Sequence, residues 1–598
     1  MTTAHNEDVA SNAYKINQTD IMKFVLLGIL SLVTLNSCIQ SELDRHNLTH
    51  ENSELAARVD NYLKSASSLG FSGSIIVSEG NEIILKKGYG LANREHRIEY
   101  SANTIQSCGS ITKQFTAAAI LLLESKDILS VNDKLSKYFS DIPKEQKNIT
   151  IHQLLTHSSG IIGGIGPDEE PIVKGAFLKR LWNEPLEFEP GSGYSYSNAG
   201  YSLLGMIIEQ VSEMNYEDFL RENLFTPSKM KKTGYLLVGE DTTMLAEGYL
   251  KGDYWGKVYK NGWLDDGPNW HLRANGGIHT TVEDMYRWLQ VMQGDGVLED
   301  DLIAKWTTGY VNENNADSKY AYGLVVFNDQ KYGKIITHSG SNRIFSADLV
   351  WLLEKNILYY IQSNSSLFPA YEISNNILSA AFDSTFRSPP DITFDDKIQP
   401  ESILKFEGIY EIDGGSAELK SDDIRMIAKL NGQPMLDLFL SHSSDKQEFF
   451  SNLNLRTNGV LRSLKEGKAD ALKDLMPAGD DPLLATENLL KQIDQIGNLE
   501  SLNIIGTFEN IENSRFSKIG AYTTFVHARF LNWNRYWNFV FDKDGNYVGT
   551  YSGPWPTFTM IPVELDKFIA VRQESPYEFT GVVFKENCLI LNGTKACT

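Results

Sequence analysis

The stretch from Ser107 to Leu123, S-C-G-S-I-T-K-Q-F-T-A-A-A-I-L-L-L, constrains this chain more than any other. Small residues and a glycine lead into Ser110, and a helix-like apolar run follows. Lys113 comes three positions after Ser110, about one helical turn, so the spacing puts both side chains on one face. A hydroxyl in the first turn of a helix sits at the positive end of the helix dipole. An amine one turn later can take or relay its proton, which makes the pair a nucleophile with a built-in base. The same spacing also describes an N-capping serine and a solvated lysine. The rest of the chain has to supply the partners.

Composition narrows the class. The chain has 598 residues, 42% hydrophobic and 22% charged, enough for two to four soluble domains. The formal net charge is −22, from 77 acidic and 55 basic residues, and such a surface would repel phosphates, which excludes nucleic acid as a partner. The front end reads as export. Residues 1–21 are polar; Met22-Lys23 then leads into an apolar run from Phe24 to Leu35 that ends in L-N-S-C at Cys38. About a dozen apolar residues are too few to span a bilayer and fit the core of a signal peptide. The pattern of 22–38 resembles a bacterial lipoprotein signal, with Cys38 lipidated and holding the protein on a membrane, although Asn36 departs from the commonest residues there. An ordinary secretory signal with an incidental Cys38 is the other reading. Both place the protein in the cell envelope or beyond, and both read from Met22, which predicts that residues 1–21 are absent from the translated precursor. Cys588 and Cys597 flank an Asn592-Gly593 turn that can bring them together in an oxidising compartment. Cys108 reads as a small buried thiol.

After a polar tether at 39–53, E-L-A-A-R-V-D-N-Y-L from Glu54 has helical period, and Phe71 to Val77, Glu82 to Leu85 and Gly88 to Ala92 read as short strands. Thr150 caps a short helix that closes at the Ser-Ser-Gly turn. His152 and His157 are five apart, not the four of a helical metal pair, and are read as structural. Pro190-Gly191 marks a turn before a polar aromatic loop and an amphipathic helix. Thr residues with Glu283 and Asp284 give capping boxes for another helix. Tyr322 to Phe327, Ile335 to His338, Ala347 to Leu353 and Ile357 to Ile361 read as strands, followed by a helix over Tyr371 to Phe382. Residues 388–400 form a linker. Beyond it, 401–500 reads as a β-rich region with a helical segment at 468–496, and 501–598 as a second β-rich unit. The aromatics Trp533, Tyr536, Trp537 and Trp555 are read as a small β core rather than a sugar-stacking platform.

The partners of Ser110 occur in order: Ser110-Ile-Thr-Lys113, Tyr196-Ser197-Asn198, and His338-Ser339-Gly340. With L-L-T-H-S-S-G-I (154–161), E-P-G-S-G-Y-S-Y-S-N-A-G-Y-S-L-L-G (189–205) and G-G-I-H-T-T-V-E-D (276–284), the chain resembles the serine β-lactamase and penicillin-binding-protein superfamily. Within it, the likeness is to the branch of class C β-lactamases, D-Ala-D-Ala carboxypeptidases, D-aminopeptidases and related esterases, over residues 54–385. The resemblance implies an α+β catalytic domain at 54–387. In it a mainly antiparallel sheet is flanked by helices, with a helical subdomain between the Ser110 helix and the later strands, and the site lies between the two.

The resemblance also implies roles. Ser110 is the acylating nucleophile. Lys113 and Tyr196 form its base system, with the order of proton transfer open. Asn198 holds Lys113 and bonds the substrate. His338 faces Ser110, and Gly340 leaves room for the acyl chain. The backbone N–H groups of Ser110 and Ser341 form an oxyanion hole, worth roughly 3 kcal/mol per donor. No metal or cofactor is implied, and the partner is a small-molecule or peptide substrate. β-Lactamases of this branch carry Lys where His338 stands, and histidine carries charge only partly near neutral pH. That points to a peptidase or esterase before a β-lactamase. The turn S-N-R-I-F-S (341–346) lacks a glycine common in these relatives; Arg343 there either binds a substrate carboxylate or faces solvent. Two further readings stay open: a penicillin-binding-like sensor with poor turnover, and a surface glycan- or partner-binding protein working through its C-terminal units.

Overall fold

The computed structural model describes residues 54–598 apart from 238–243, 251–252, 261, 314–316, 387, 390–397, 423, 478–480, 497–498, 511–518, 531–533, 553–556 and 573–578. The signal, Cys38 and the tether lie outside the described residues, as do most of the linker, Trp533 and Trp555. Among the described residues no helix is long and apolar enough to cross a membrane.

An eight-stranded antiparallel sheet organises the first half. Helix α1 (Glu54–Leu69) leads into strands β1 (Gly73–Glu79) and β2 (Glu82–Tyr89). The chain then leaves the sheet for the Ser110 segment and helices α2 (Thr112–Ser125), α3 (Ile151–Leu155), α4 (Asn198–Ser212) and α5 (Val282–Met292). It returns as β3 (Val311–Asn312), β4 (Lys319–Tyr320), β5 (Val325–Asp329), β6 (Gly333–Ser341), β7 (Ser346–Leu352) and β8 (Ile357–Ser363), and closes with α6 (Ala370–Phe382). The spatial order is β2-β1-β8-β7-β6-β5-β4-β3. Every residue of β7 and β8 is buried, because helices cover both faces; that is why these strands read as continuous apolar runs rather than alternations. Strand period sorts the side chains. Ile336, Leu349 and Trp351 join the front core with α2, α4 and α5. Ile335, Val350 and Leu352 join the rear core with α1 and α6.

Helix α2 is the centre of the front core. Ten consecutive residues, Thr112 to Leu121, are buried, so the helix is enclosed on all sides, as an all-round apolar pattern requires. Phe115 packs edge-on against Phe225 and Trp288 at 5.1 and 4.6 Å between ring centroids.

The second half is ordered differently from the expectation. Strands β9 (Gly408–Ile412), β10 (Gly415–Asp422) and β11 (Arg425–Asn431) are followed by helices α7 (Gln433–Leu440), α8 (Ser444–Lys465) and α9 (Pro482–Ile496). Strands β12 (Leu499–Glu509), β13 (Tyr522–Phe530), β14 (Asn534–Phe541) and β15 (Tyr547–Ser552) then form their own sheet. Strands β16 (Thr557–Glu564), β17 (Lys567–Arg572), β18 (Phe579–Lys585), β19 (Cys588–Leu591) and β20 (Thr594–Cys597) rejoin the first three. The result is a closed barrel, β9-β10-β11-β16-β17-β18-β19-β20. The helices and small sheet are an insertion between β11 and β16, so a boundary at 500/501 falls inside β12 of that insertion and assigns the strands of one barrel to two units. Of the helical segment expected at 468–496, only α9 is helix, opened by Pro482 at a position that tolerates its missing N–H; α8 ends ahead of the segment at Lys465. Phe406, Tyr410, Phe558, Phe568 and Phe584 fill the barrel core, into which α7 packs Met435, Leu436 and Phe439. Trp537 is buried against α8 and α9 as part of a β core. Cys588 and Cys597 form a disulfide across the β19–β20 hairpin.

The barrel is built into the catalytic domain. Ile561 and Val571 belong to the rear core. The Arg94 guanidinium pairs with the buried Asp422 carboxylate, and Arg425 donates to the Ser67 carbonyl at 2.9 Å.

Candidate active site

Ser110 sits in a single 3-10 turn, Gly109–Ile111, that feeds α2. The turn is forced by contact with β6. Gly109 has φ +54°, and a methyl group there would stand 2.5 Å from the Ser341 nitrogen; one on Gly340 would stand 2.0 Å from the Cys108 carbonyl oxygen and 2.9 Å from the Ser110 nitrogen. Two glycines thus let the Ser110 turn and the Gly340-Ser341 backbone touch, which sets the Ser110 and Ser341 amides beside one another. Ser110 is half-buried, where the turn meets β6 and α2.

Lys113 is wholly buried and all its hydrogen bonds converge on the site. Its Nζ donates to Ser110 Oγ at 3.1 Å, Asn198 Oδ1 at 2.7 Å and the Asn275 carbonyl at 2.7 Å. It also lies over the rings of Tyr196 and Tyr201, 4.7 and 5.5 Å from their centroids. Burial drives its ammonium well below the usual lysine range, against the pull of Asp168. Tyr196 shifts the other way. Burial holds its phenol above the ordinary value, despite hydrogen bonds with Ser110 and Tyr320.

Asn198 begins α4, whose N-cap is Ser197; the Ser197 hydroxyl accepts from Gly200 N–H and donates to the Ile162 carbonyl at 2.9 Å. His157, expected to be structural, turns out to hold this segment at two points. Its carbonyl accepts from Ser195 N–H at 3.0 Å, and its Nδ1 accepts from Ser197 N–H at 3.0 Å. Its ring lies 4.3 Å from that of Tyr196. His152 stays outside the site, bonded to the Tyr322 hydroxyl at 2.8 Å.

His338 reaches the cleft from β6, its ring 6.3 Å from that of Tyr196. Its Nδ1–H donates to the Ser339 carbonyl at 2.6 Å, and its Nε2 accepts from the Tyr320 hydroxyl at 2.9 Å. Burial and the nearby Lys113 push its pKa down to about 3. The partial charge expected at neutral pH is therefore corrected: the imidazole is neutral, because it is desolvated and its one free lone pair is occupied. Arg343 stands exposed at the tip of the β6–β7 hairpin with φ +76°. Its charge and that of Lys113 both act on Asp168, whose carboxyl is raised to about 6 by burial and by Glu169.

The structure thus brings Ser110, Lys113, Tyr196, Asn198, His338, Gly340 and Ser341 to one cleft and leaves Arg343 at its rim. Sequence reading missed four contributors. Asn275 lies just before the 276–284 block and offers a backbone oxygen, which no side-chain pattern encodes. Tyr320 stands in K-Y-A-Y-G, one short strand away from the motifs. Asp168 sits in a loop with two other acids that give no hint which one faces inward. His157 was visible in the T-H-S-S-G block, but only the fold shows what it grips.

The model of the Beta-lactamase family matches residues 55–382. Penicillin-binding protein 4* of Bacillus subtilis (strain 168) is 28% identical over 429 residues, which cover 65% of this chain and 90% of that protein. Protein flp of Staphylococcus aureus (strain MW2) is 28% identical over 312 residues, 50% of this chain and 60% of that one. Among solved structures, the octameric penicillin-binding protein homologue from Pyrococcus abyssi matches with TM-score 0.50 and 20% identity, over 91% of this chain and 100% of that chain; that likeness is one of fold. Since the family model runs through the entire sheet-and-helix domain that holds Ser110, the chain belongs to the Beta-lactamase family of serine hydrolases and penicillin-binding-like proteins, with a barrel added behind it.

Proposed function

We propose that this protein hydrolyses an amide or ester bond through an acyl-enzyme on Ser110, as a peptidase or esterase rather than a β-lactamase. The observation that carries the reading is the opposite displacement of Lys113 and Tyr196. Burial destabilises the charge of each, which favours the neutral amine of Lys113 and the neutral phenol of Tyr196. The amine is then the base and the phenol the acid. Lys113 Nζ takes the Ser110 proton as Oγ attacks the carbonyl carbon. The Ser110 and Ser341 amides hold the oxyanion. As the C–N or C–O bond breaks, the Tyr196 hydroxyl gives its proton to the leaving group and regains one from the Lys113 ammonium. Water enters, loses a proton to the same pair and releases the acid, restoring Ser110. Asn198 keeps Lys113 aimed at Oγ.

The neutral His338 supports the choice of class: it offers no charge to a β-lactam carboxylate. The exposed Arg343 supports a substrate that carries a carboxylate away from the scissile bond. A panel of p-nitrophenyl esters, D-amino-acid amides and nitrocefin tests the reading on wild type and Ser110→Ala. Turnover of an ester or amide, lost in the variant, is the expected result. Activity that survives in Ser110→Ala, or labelling by a β-lactam with no turnover of any ester or amide, overturns it. We further propose that Cys38 is lipidated in the cell envelope. Incorporation of labelled fatty acid that is lost in Cys38→Ala is the expected result.

A further inference from the structure

The mechanism leaves one buried acid unused, directly behind the active-site strand. Asp348 on β7 is the register partner of Ser339 on β6, between His338 and Gly340. Its side chain lies on the rear face, because alternation turns His338 forward and Ser339 back. Asp348 is 6% exposed. Ser339 Oγ donates to Asp348 Oδ1 at 2.7 Å, and Ser374 on α6 also hydrogen-bonds the carboxyl. Behind Ser374, the Tyr359 hydroxyl on β8 shares a 2.8 Å bond with its Oγ. Hydroxyls therefore face Asp348 from β6, α6 and, one bond further on, β8. Tyr359 is the titratable one, a phenol that burial and Asp348 itself keep neutral. Among the described residues no lysine, arginine or histidine offsets the carboxylate charge, and burial pushes its pKa up to about 7.

Ser339 connects this group to the chemistry. Its side chain is held from behind by Asp348, and its carbonyl accepts the His338 Nδ1–H at 2.6 Å. Two residues on, Ser341 supplies the amide beside Ser110. We propose that Asp348 is a positioning residue: acting through Ser339, it sets the strand that carries His338 and the Ser341 amide, and so ties turnover to pH. The ionised carboxylate is the better acceptor for Ser339. Protonation converts one of its oxygens into a donor and loosens that hold.

The inference rests on Ser110 acylation as the reaction, and the test keeps the two apart. Rates of fluorophosphonate labelling, and kcat/KM for any ester or amide turned over, are measured from pH 5.5 to 8.5 for wild type, Asp348→Asn and Ser339→Ala. Melting temperatures are measured over the same range. Labelling that persists in Ser110→Ala sinks the reaction and leaves Asp348 to the melting data. Wild type should gain about three- to tenfold in rate through an inflection near pH 7, the factor one hydrogen bond is worth. Both variants should lose that inflection. The melting data run in the opposite direction. A carboxyl whose folded pKa is raised binds more protons in the native state, so wild-type stability falls as pH rises from the unfolded value towards 7. Asp348→Asn should abolish this fall, whereas Ser339→Ala should keep it while still losing the rate inflection. Rate profiles of both variants with the wild-type inflection would overturn the proposal, as would a melting trend in Asp348→Asn that follows wild type.

Discussion

Lys113 must be neutral to take a proton, and its burial brings the neutral form within reach at a lower pH than an ordinary lysine allows. Activity should therefore fall on the acid side as Lys113 gains its proton. His338, already neutral above about pH 3, should add no inflection above pH 5. A pH profile of kcat/KM for His338→Asn checks this: its inflections should coincide with those of wild type even where the rate is lower. Lys113→Ala should reduce kcat by at least about a thousandfold, as loss of a triad member does, with little change in KM. His157 offers a finer test. Asn can present an acceptor where Nδ1 stands, and Gln mimics Nε2 instead. His157→Asn should hold kcat within about threefold, and His157→Gln should lose about tenfold by leaving the Ser197 N–H unpaired. Equal losses in steady-state kinetics would mean that only the ring's bulk matters. Arg343→Ala should raise KM for carboxylate-bearing substrates and leave neutral esters unchanged.

Between elements, the decisive contact is that of the Ser110 turn with β6. It leaves no room for a side chain at Gly340, where a methyl group would be 2.0 Å from a carbonyl oxygen. Gly340→Ala should separate the two oxyanion amides. Its expected outcome is a loss of about a hundredfold in kcat, the scale of one oxyanion donor, with the far-ultraviolet circular dichroism spectrum unchanged. Helix α2 is the other fixed point. Phe115→Ala removes a ring held between Phe225 and Trp288 and should cost about 3–5 kcal/mol in urea unfolding. That is a large share of a typical domain's stability.

For the molecule as a whole, the barrel is part of the rear wall of the catalytic domain. Cutting the chain within the linker would expose the rear core where Ile561 and Val571 now cover it. It would also strand Arg94 without Asp422. Asp422→Ala should destabilise the protein by about 3–5 kcal/mol, measured by denaturant unfolding, because it removes the buried carboxylate that pairs with the Arg94 guanidinium. What sequence alone determined is the family, the motif residues that the fold gathers, and the first half's plan. Ser110, Lys113, Tyr196, Asn198 and His338 stand in motifs whose residue types and order persist in one dimension. The strands behind them show as apolar runs because they are buried on both faces. Tertiary structure alone decided the rest. Barrel closure pairs β11 with β16 across more than a hundred residues, and local periodicity holds no record of a partner that distant. The charge on His338 and the shifts of Lys113 and Tyr196 also come from desolvation, a property of the packed surroundings. The Ser110–Lys113 spacing could equally have belonged to a solvated helix end; burial by the folded domain is what made it a site.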